Sequence, residues 1–363
     1  MAETATLGHT PRMPERRLRS EVRDTLGELT EEWDRLVIGQ PHPSPFLLAW
    51  WLDAAAGGHP RLLCLFDGDE LVGGAAFELD RPGIGLAGIE RVRSLGQGPL
   101  APDHLDVVAA PGTEEDVLEQ VMRWLHRPGN RVVDLDGLAS DGSLARALAG
   151  HQLSRTGAPY AVLPSDPDAY MADRPGAIRS TVARTARRAE RSGATIERVD
   201  PGDADRALAD LARLHDRRWA DDSAFLDAWD RFRRAAHTGM RDGSVVIHEI
   251  VDADGAVVAT QLDLRAGRSL AFYQAGRSTD HEWRGAGSLL RADSIAWAIR
   301  QGFSEYDMLR GDEPYKADWA GARREVVRVR FGVGPLGRAV ATGADLWRRA
   351  RPTATISRRA AGR

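Results

Sequence analysis

The sequence predicts an α/β (α+β) fold in which two similar units follow one another, each a mixed, largely antiparallel sheet flanked by helices. Two hairpin patterns carry the prediction, at 61–79 and 245–264. In each, apolar strand runs are joined by a turn holding Asp and Gly, Asp67-Gly68-Asp69 and Asp252-Ala253-Asp254-Gly255. Helix patterns precede and follow both hairpins in the same order, which points to an internal structural duplication. The chain of 363 residues, 42% hydrophobic and 28% charged, is long for one domain and suits two packed cores.

Residues 1–17 hold Pro11 and Pro14 without periodicity and read as a disordered leader. The first unit is predicted over 18–165. Leu26, Leu29, Trp33 and Leu36 are spaced for a helix over 25–37. Pro41, Pro43 and Pro45 hold the next stretch extended, since each restricts its predecessor. A helix over 46–56 then carries Trp50 and Trp51 to Gly57-Gly58. After the hairpin come weaker strand signals at 91–95 and 106–109 and a helix over 114–125 capped by Thr113. A buried strand over 131–135, a helix over 140–148 and a strand over 159–163 follow. The acidic, proline-bearing stretch 164–168 marks the boundary.

In the second unit, 166–335, a basic helix over 176–191 stops at Gly193 and a strand takes 195–199. Helices over 202–219 and 224–240 lead to the second hairpin, which a strand over 269–274 extends into a meander. An apolar-periodic run from Glu282 to Ala298 opens on Gly285 and Gly287; strands over 303–309 and 325–331 flank the loop 310–316. Residues 336–363 are predicted as a helix and an arginine-rich tail.

A net charge of −4 argues against nucleic-acid binding as the main role. The single cysteine, Cys64, lies in the apolar run 62–66 and reads as core filler. No histidine or carboxylate set shows metal-ligand spacing, so no metal is expected. No run approaches the ~18 apolar residues of a membrane span, and no apolar stretch of a secretory signal follows Arg12, Arg16 and Arg17. A cytoplasmic protein is expected. The basic tail reads as solvated, with peripheral contact to an anionic membrane as the alternative.

A tight glycine pair at a helix start leaves backbone N–H groups pointing outward at the positive end of the helix dipole, which makes a phosphate cradle. Arg284, Gly285, Ala286, Gly287 and Ser288 are therefore the expected cofactor-binding residues. On the helix over 176–191, Arg184, Arg187, Arg188 and Arg191 share one face. That face is either solvated or a basic wall for an anionic acceptor, with Arg187 and Arg188 as contacts. His215, beside Leu211 and Leu214, reads as a packed histidine, with a catalytic one as the alternative.

The meander, glycine-pair helix and following strand resemble the GNAT acyltransferase fold. In that superfamily the turn has the form Gln/Arg-x-x-Gly-x-Gly/Ala, and its N–H groups bind the pyrophosphate of acyl-CoA. Here it reads Glu282-Trp283-Arg284-Gly285-Ala286-Gly287, with Glu282 departing from the pattern and Arg284 as a compensating charge. The basic run 179–191 before Gly193, His215-Asp216-Arg217-Arg218-Trp219, Phe272-Tyr273-Gln274-Ala275-Gly276 and Gly311-Asp312-Glu313-Pro314-Tyr315-Lys316 are similar to CelD/BcsL-type acetyltransferases. Those are tandem-GNAT proteins of bacterial exopolysaccharide and cellulose pathways, related in fold to Fem-type aminoacyltransferases. The resemblance spans roughly residues 174–331. It implies acetyl-CoA as donor and direct transfer to a sugar-type or amine acceptor. A tRNA-dependent aminoacyltransferase and a non-catalytic scaffold of a polysaccharide machinery are the alternatives.

Direct transfer needs a base for the acceptor, donors for the tetrahedral oxyanion and a proton for the leaving thiolate. In GNAT-like folds the oxyanion donor is a backbone N–H of the central strand, here within 272–275. Strand alternation puts Gln261 and Asp263 on one face. Asp263 is the first candidate base and Tyr273 the candidate acid. Gln261, Gln274, Arg310 and Tyr315 are expected to contact the acceptor. Lys316, which resembles the family's Tyr-Lys position, is expected to aid charge development.

Overall fold

The computed structural model describes residues 17–80, 88–219 and 223–350; of the leader expected over 1–17, residues 1–16 lie outside them, as does the tail beyond Ala350. In the first half, β1 (Arg19–Arg23) precedes α1 (Thr30–Ile38) and α2 (Ala49–Leu52). The meander follows as β2 (His59–Asp67), β3 (Glu70–Asp80) and β4 (Glu90–Ser94), with the short β5 (Val108–Ala109) after it. Then come α3 (Glu114–Leu125), β6 (Arg131–Ala139), α4 (Ser143–Ala147) and β7 (Gln152–Val162). The second half starts with α5 (Pro167–Ala172), α6 (Gly176–Arg191), β8 (Thr195–Arg198), α7 (Ala204–Trp219) and α8 (Trp229–Arg241). Its meander is β9 (Val245–Val251), β10 (Val257–Ala266) and β11 (Ser269–Arg277). It ends with α9 (Ala286–Arg300), β12 (Glu305–Asp307), α10 (Pro314–Ala317), β13 (Ala322–Val333) and α11 (Gly334–Ala350).

The strands form one sheet in the order β1-β2-β3-β4-β6-β13-β7-β12-β11-β10-β9-β8, with β5 beside β3. Each half repeats one plan. An antiparallel meander ends in a strand that pairs in parallel with the strand after the next long helix, β4 with β6 and β11 with β12. The closing strands are then exchanged. β13, from the second half, inserts antiparallel between β6 and β7, while β7 pairs antiparallel with β12. Neither half completes its sheet alone.

The exchanged strand is fastened by charge as well as by ladder. Asp134 on β6, 1% exposed, accepts from Arg328 Nε (2.7 Å) and Nη2 (2.8 Å), Arg330 Nη2 (2.8 Å) and Arg91 Nη2 (3.1 Å). The main apolar core also crosses the halves, joining Trp33, Trp51 and Leu65 to Leu208, Phe232 and Leu262. Each such buried large side chain contributes roughly 1.5–3 kcal/mol relative to exposure. Cys64 sits in this core, and burial pushes its thiol up to about 11, which keeps it protonated.

Two local expectations change. The helix expected over 46–56 is a 3-10 turn, Pro45–Leu47, an extended Leu48 and the four-residue α2. Trp33 Nε1 donates to the Leu47 carbonyl at 2.7 Å and Asp34 accepts from the Ala49 amide at 2.8 Å, so backbone groups there are satisfied from α1. Thr113 does not cap α3 with its side chain; Oγ1 donates to the carbonyls of Ala110 (2.8 Å) and Val72 (3.2 Å) and ties the turn to β3.

Candidate active site

β11 pairs with β12 only across Ser269–Ala271 and Glu305–Asp307, after which the chain turns away through Leu309 at φ +53°. β11 itself continues to Arg277. The gap between the parted strands is the floor of a cavity of about 530 Å³. Its walls come from β11, the first turns of α9, the end of α7, α10 and the first-half loop around Leu100 and Asp103.

Glycines set the approach of each wall. A Cβ on Gly276 would stand 2.6 Å from the His215 amide nitrogen, so α7 packs directly on β11 and brings His215, Arg218 and Trp219 to the cavity. Gly285, at φ +95°, precedes α9, and a Cβ there would stand 2.5 Å from Thr185 Oγ1 on α6. Arg188 Nη2 donates to the Arg284 carbonyl at 2.6 Å and pins the same turn. No side chain caps α9. Its first N–H groups therefore stay available to an anion. The Cβ position of Gly287 has nothing within 4 Å.

Of the expected cradle, Gly285, Gly287 and Ser288 line the cavity, while Arg284 is exposed outside it and Ala286 is buried. Glu282, the departure from the motif, is exposed and outside the lining. Among the described residues, the first half has no equivalent cradle. The first turn of α3 carries Glu114, Glu115 and Asp116, which repel a phosphate.

Gln274, Arg310, Tyr315 and Lys316 reach the cavity as expected. Arg310, however, is held by Asp103, whose Oδ2 also accepts from the Arg310 amide at 2.7 Å, and by Asp136 at 3.0 Å. Lys316, 5% exposed, donates to the carbonyls of Arg310 (2.5 Å) and Leu309 (3.3 Å) and pairs with Glu313 at 3.2 Å. Tyr273 reaches the cavity too. Its hydroxyl donates to the Leu100 carbonyl at 2.7 Å, and burial holds its pKa well above 10, so its proton is committed to an inter-half hydrogen bond.

Four expected site residues fall elsewhere. Gln261 and Asp263 do share a face, but that face is covered by α9. Asp263, 0% exposed, accepts from Ser294 Oγ (2.7 Å), Gln261 Nε2 (3.0 Å) and Tyr306 OH (3.2 Å), and burial raises its pKa. It is a structural acid away from the cavity lining, which does not suit a base. Arg187 is exposed and Arg188 braces the glycine turn; neither lines the cavity.

His215 and Arg218, noted in the sequence but given no site role, and Arg277 and Arg291, which sequence reasoning missed, also line the cavity. His215 is 3% exposed, with Nε2 3.0 Å from Ser223 Oγ, and burial lowers its pKa, so the imidazole is neutral near pH 7. One signal was present: Arg291 lies four residues after Gly287 and therefore on the same helix face. Among the described residues, no cluster of His, Cys, Asp and Glu could hold a metal ion, and no helix is long and apolar enough to cross a membrane.

The family description "Acetyltransferase (GNAT) domain" matches residues 176–317. Those residues form a GNAT acetyltransferase domain. The match takes in α6, the second meander, the glycine turn, α9 and α10, and with it the chain is an acyltransferase. No curated protein matches. Among solved structures, FemX is 12% identical, with a TM-score of 0.59 over 82% of this chain and 95% of that one. The C-terminal domain of a putative lysylphosphatidylglycerol synthetase from Agrobacterium fabrum is 14% identical, with a TM-score of 0.55 over 89% and 96%. A tandem GNAT protein from the clavulanic acid biosynthesis pathway is 14% identical, with a TM-score of 0.50 over 88% and 99%. At these identities the likeness is one of fold. That fold is the tandem GNAT arrangement, and among the described residues the glycine turn facing the cavity belongs to the second half.

Proposed function

We propose that the chain is an acyl-CoA-dependent N- or O-acyltransferase, transferring acetyl directly to a sugar-type acceptor in the manner of the CelD/BcsL group. The observation that carries this reading is the uncapped, glycine-opened start of α9 facing a cavity floored by β11. The pyrophosphate would sit on the first N–H groups of α9. The thioester would lie along β11 beyond Ala271, where that strand has no β12 partner and its backbone can donate to an oxyanion. The acceptor's amine or hydroxyl attacks the thioester carbonyl as neutral His215 takes its proton. Collapse of the tetrahedral adduct expels the CoA thiolate, and the imidazolium returns the proton to sulfur. Lys316 holds the 309–316 loop through its two carbonyl bonds, with its charge matched by Glu313. A CoA donor fits a cytoplasmic location.

The test is release of free CoA thiol from acetyl-CoA with a panel of sugar and amine acceptors. His215→Gln should lower kcat by about 10²–10³-fold. In the wild type kcat/KM should rise with pH through a value below the usual histidine range and then level, because burial, aided by nearby Arg218, disfavours the charged imidazole more than the hydrogen bond to the Ala275 backbone and the charge of Asp216 favour it. An acidic limb that persists unchanged in His215→Gln would remove His215 as the base. Activity that instead requires charged tRNA, and is lost on nuclease treatment, would replace the CoA donor with an aminoacyl one.

A further inference from the structure

Among the described residues, the charges lining the cavity do not balance. Asp103 neutralises Arg310, and Glu313 neutralises Lys316. That leaves Arg218, Arg277 and Arg291, which have no carboxylate partner within 4.0 Å among the described residues. Elsewhere the pattern is the opposite: half-buried Arg324 and Arg328 are each matched to a buried carboxylate, Asp307 and Asp134. Burying like charges together without counter-ions is unfavourable and is tolerated where a ligand supplies them.

Arg291 is the most telling of the three. It is 7% exposed, its Nε has no hydrogen-bond partner, and its guanidinium lies 4.2 Å from the Phe272 ring centroid and 5.0 Å from that of Tyr315. The rings hold the group flat while leaving its donors free for the cavity. It stands one helical turn inward from Gly287 and Ser288, which are only half-buried, so Arg291 lies deeper in the cavity than the cradle at the helix start.

We infer that Arg218, Arg277 and Arg291 bind a phosphate group of the acceptor, so that the substrate is a phosphorylated or phosphate-linked sugar. This rests on the proposed transferase reading for the word acceptor, but the anion subsite stands on the three arginines' lack of a carboxylate partner alone, Arg277 donating one bond to the Ser278 carbonyl. Three guanidinium groups suit a dianion with several acceptor oxygens better than a single carboxylate.

The experiment is calorimetric titration of inorganic phosphate, and separately of acetate, into free protein and into protein saturated with acetyl-CoA. Wild type should bind phosphate in both states and more tightly than acetate. Arg291→Gln and Arg277→Gln should each weaken phosphate by about tenfold or more while acetyl-CoA affinity stays within about threefold. Arg277 is only half-buried, so its variant guards against a folding defect at Arg291. Competition between phosphate and acetyl-CoA would assign the cluster to the donor's own phosphates and overturn the inference. So would phosphate binding that the variants leave intact, absence of phosphate heat, or acetate binding as tightly. If acetyl-CoA gives no heat while phosphate binding is still lost in both variants, the CoA reading fails and the anion subsite stands.

Discussion

Asp134→Asn is expected to lower the free energy of unfolding by about 3–5 kcal/mol. The carboxylate is buried at the seam where β13 inserts beside β6, and Arg328, Arg330 and Arg91 all point at it. Asparagine keeps the shape but leaves those guanidinium groups, Arg330 at 10% side-chain exposure among them, facing a neutral amide. The pH dependence follows. Burial alone would raise the Asp134 pKa, but Arg328 and then Arg330 outweigh it and hold the group far below 3.8. A depressed carboxylate contributes stability that is complete above its unfolded pKa, about 3.9, and is lost as pH falls toward the folded value. The gap between wild type and Asp134→Asn in urea unfolding should therefore be full near pH 7 and narrow in acid below about pH 4. A difference under about 1 kcal/mol, or one that ignores pH, would contradict the role of this seam. Because β13 and β6 come from opposite halves, the variant should also separate a single unfolding transition into two.

Gly285→Ala should weaken acetyl-CoA binding by about tenfold or more, while Gly287→Ala should change it by less than about threefold. The two glycines look alike in the sequence and differ in the structure. Gly285 is at φ +95°, where a side chain costs on the order of 1–3 kcal/mol, and its Cβ would collide with Thr185 Oγ1. Relief of that strain moves the first turn of α9 and the N–H groups meant for the pyrophosphate. Gly287 is helical, and its Cβ position is open. Calorimetry on both variants checks the contrast. Equal effects would mean that the turn is not set by α6, and a Thr185→Ala, Gly285→Ala double variant that recovers part of the loss would support the collision as the cause.

Much of the architecture was legible because its signals are local. Alternating apolar residues around Asp-Gly turns located both hairpins, and α3, α6 and α9 appeared at their helical spacing. What stayed hidden depends on partners distant in sequence. β1 has one apolar residue, Val22, and becomes a strand by pairing with β2. β7 was expected over 159–163 but runs from Gln152, because β13 supplies a ladder along residues 152–160. No local pattern announces that β13 crosses into the other half.

The site divides the same way. The cradle was readable because one turn provides it, whereas the arginine cluster draws on α7, β11 and α9 and exists only because Gly276 lets α7 approach. Asp263 shows the limit of periodicity: alternation correctly paired it with Gln261, but it does not say whether a shared face meets a cavity or a helix. His215 is the converse, a histidine with a packed sequence context that the structure brings to the cavity wall.

Titration of the wild-type protein with acetyl-CoA tests the central claim most directly. The account expects saturable one-to-one binding with a dissociation constant of roughly 1 μM to 1 mM, abolished by Gly287→Glu, which puts a carboxylate into the open space beside the first turn of α9. No heat at millimolar acetyl-CoA, or binding that Gly287→Glu leaves unchanged, would contradict it.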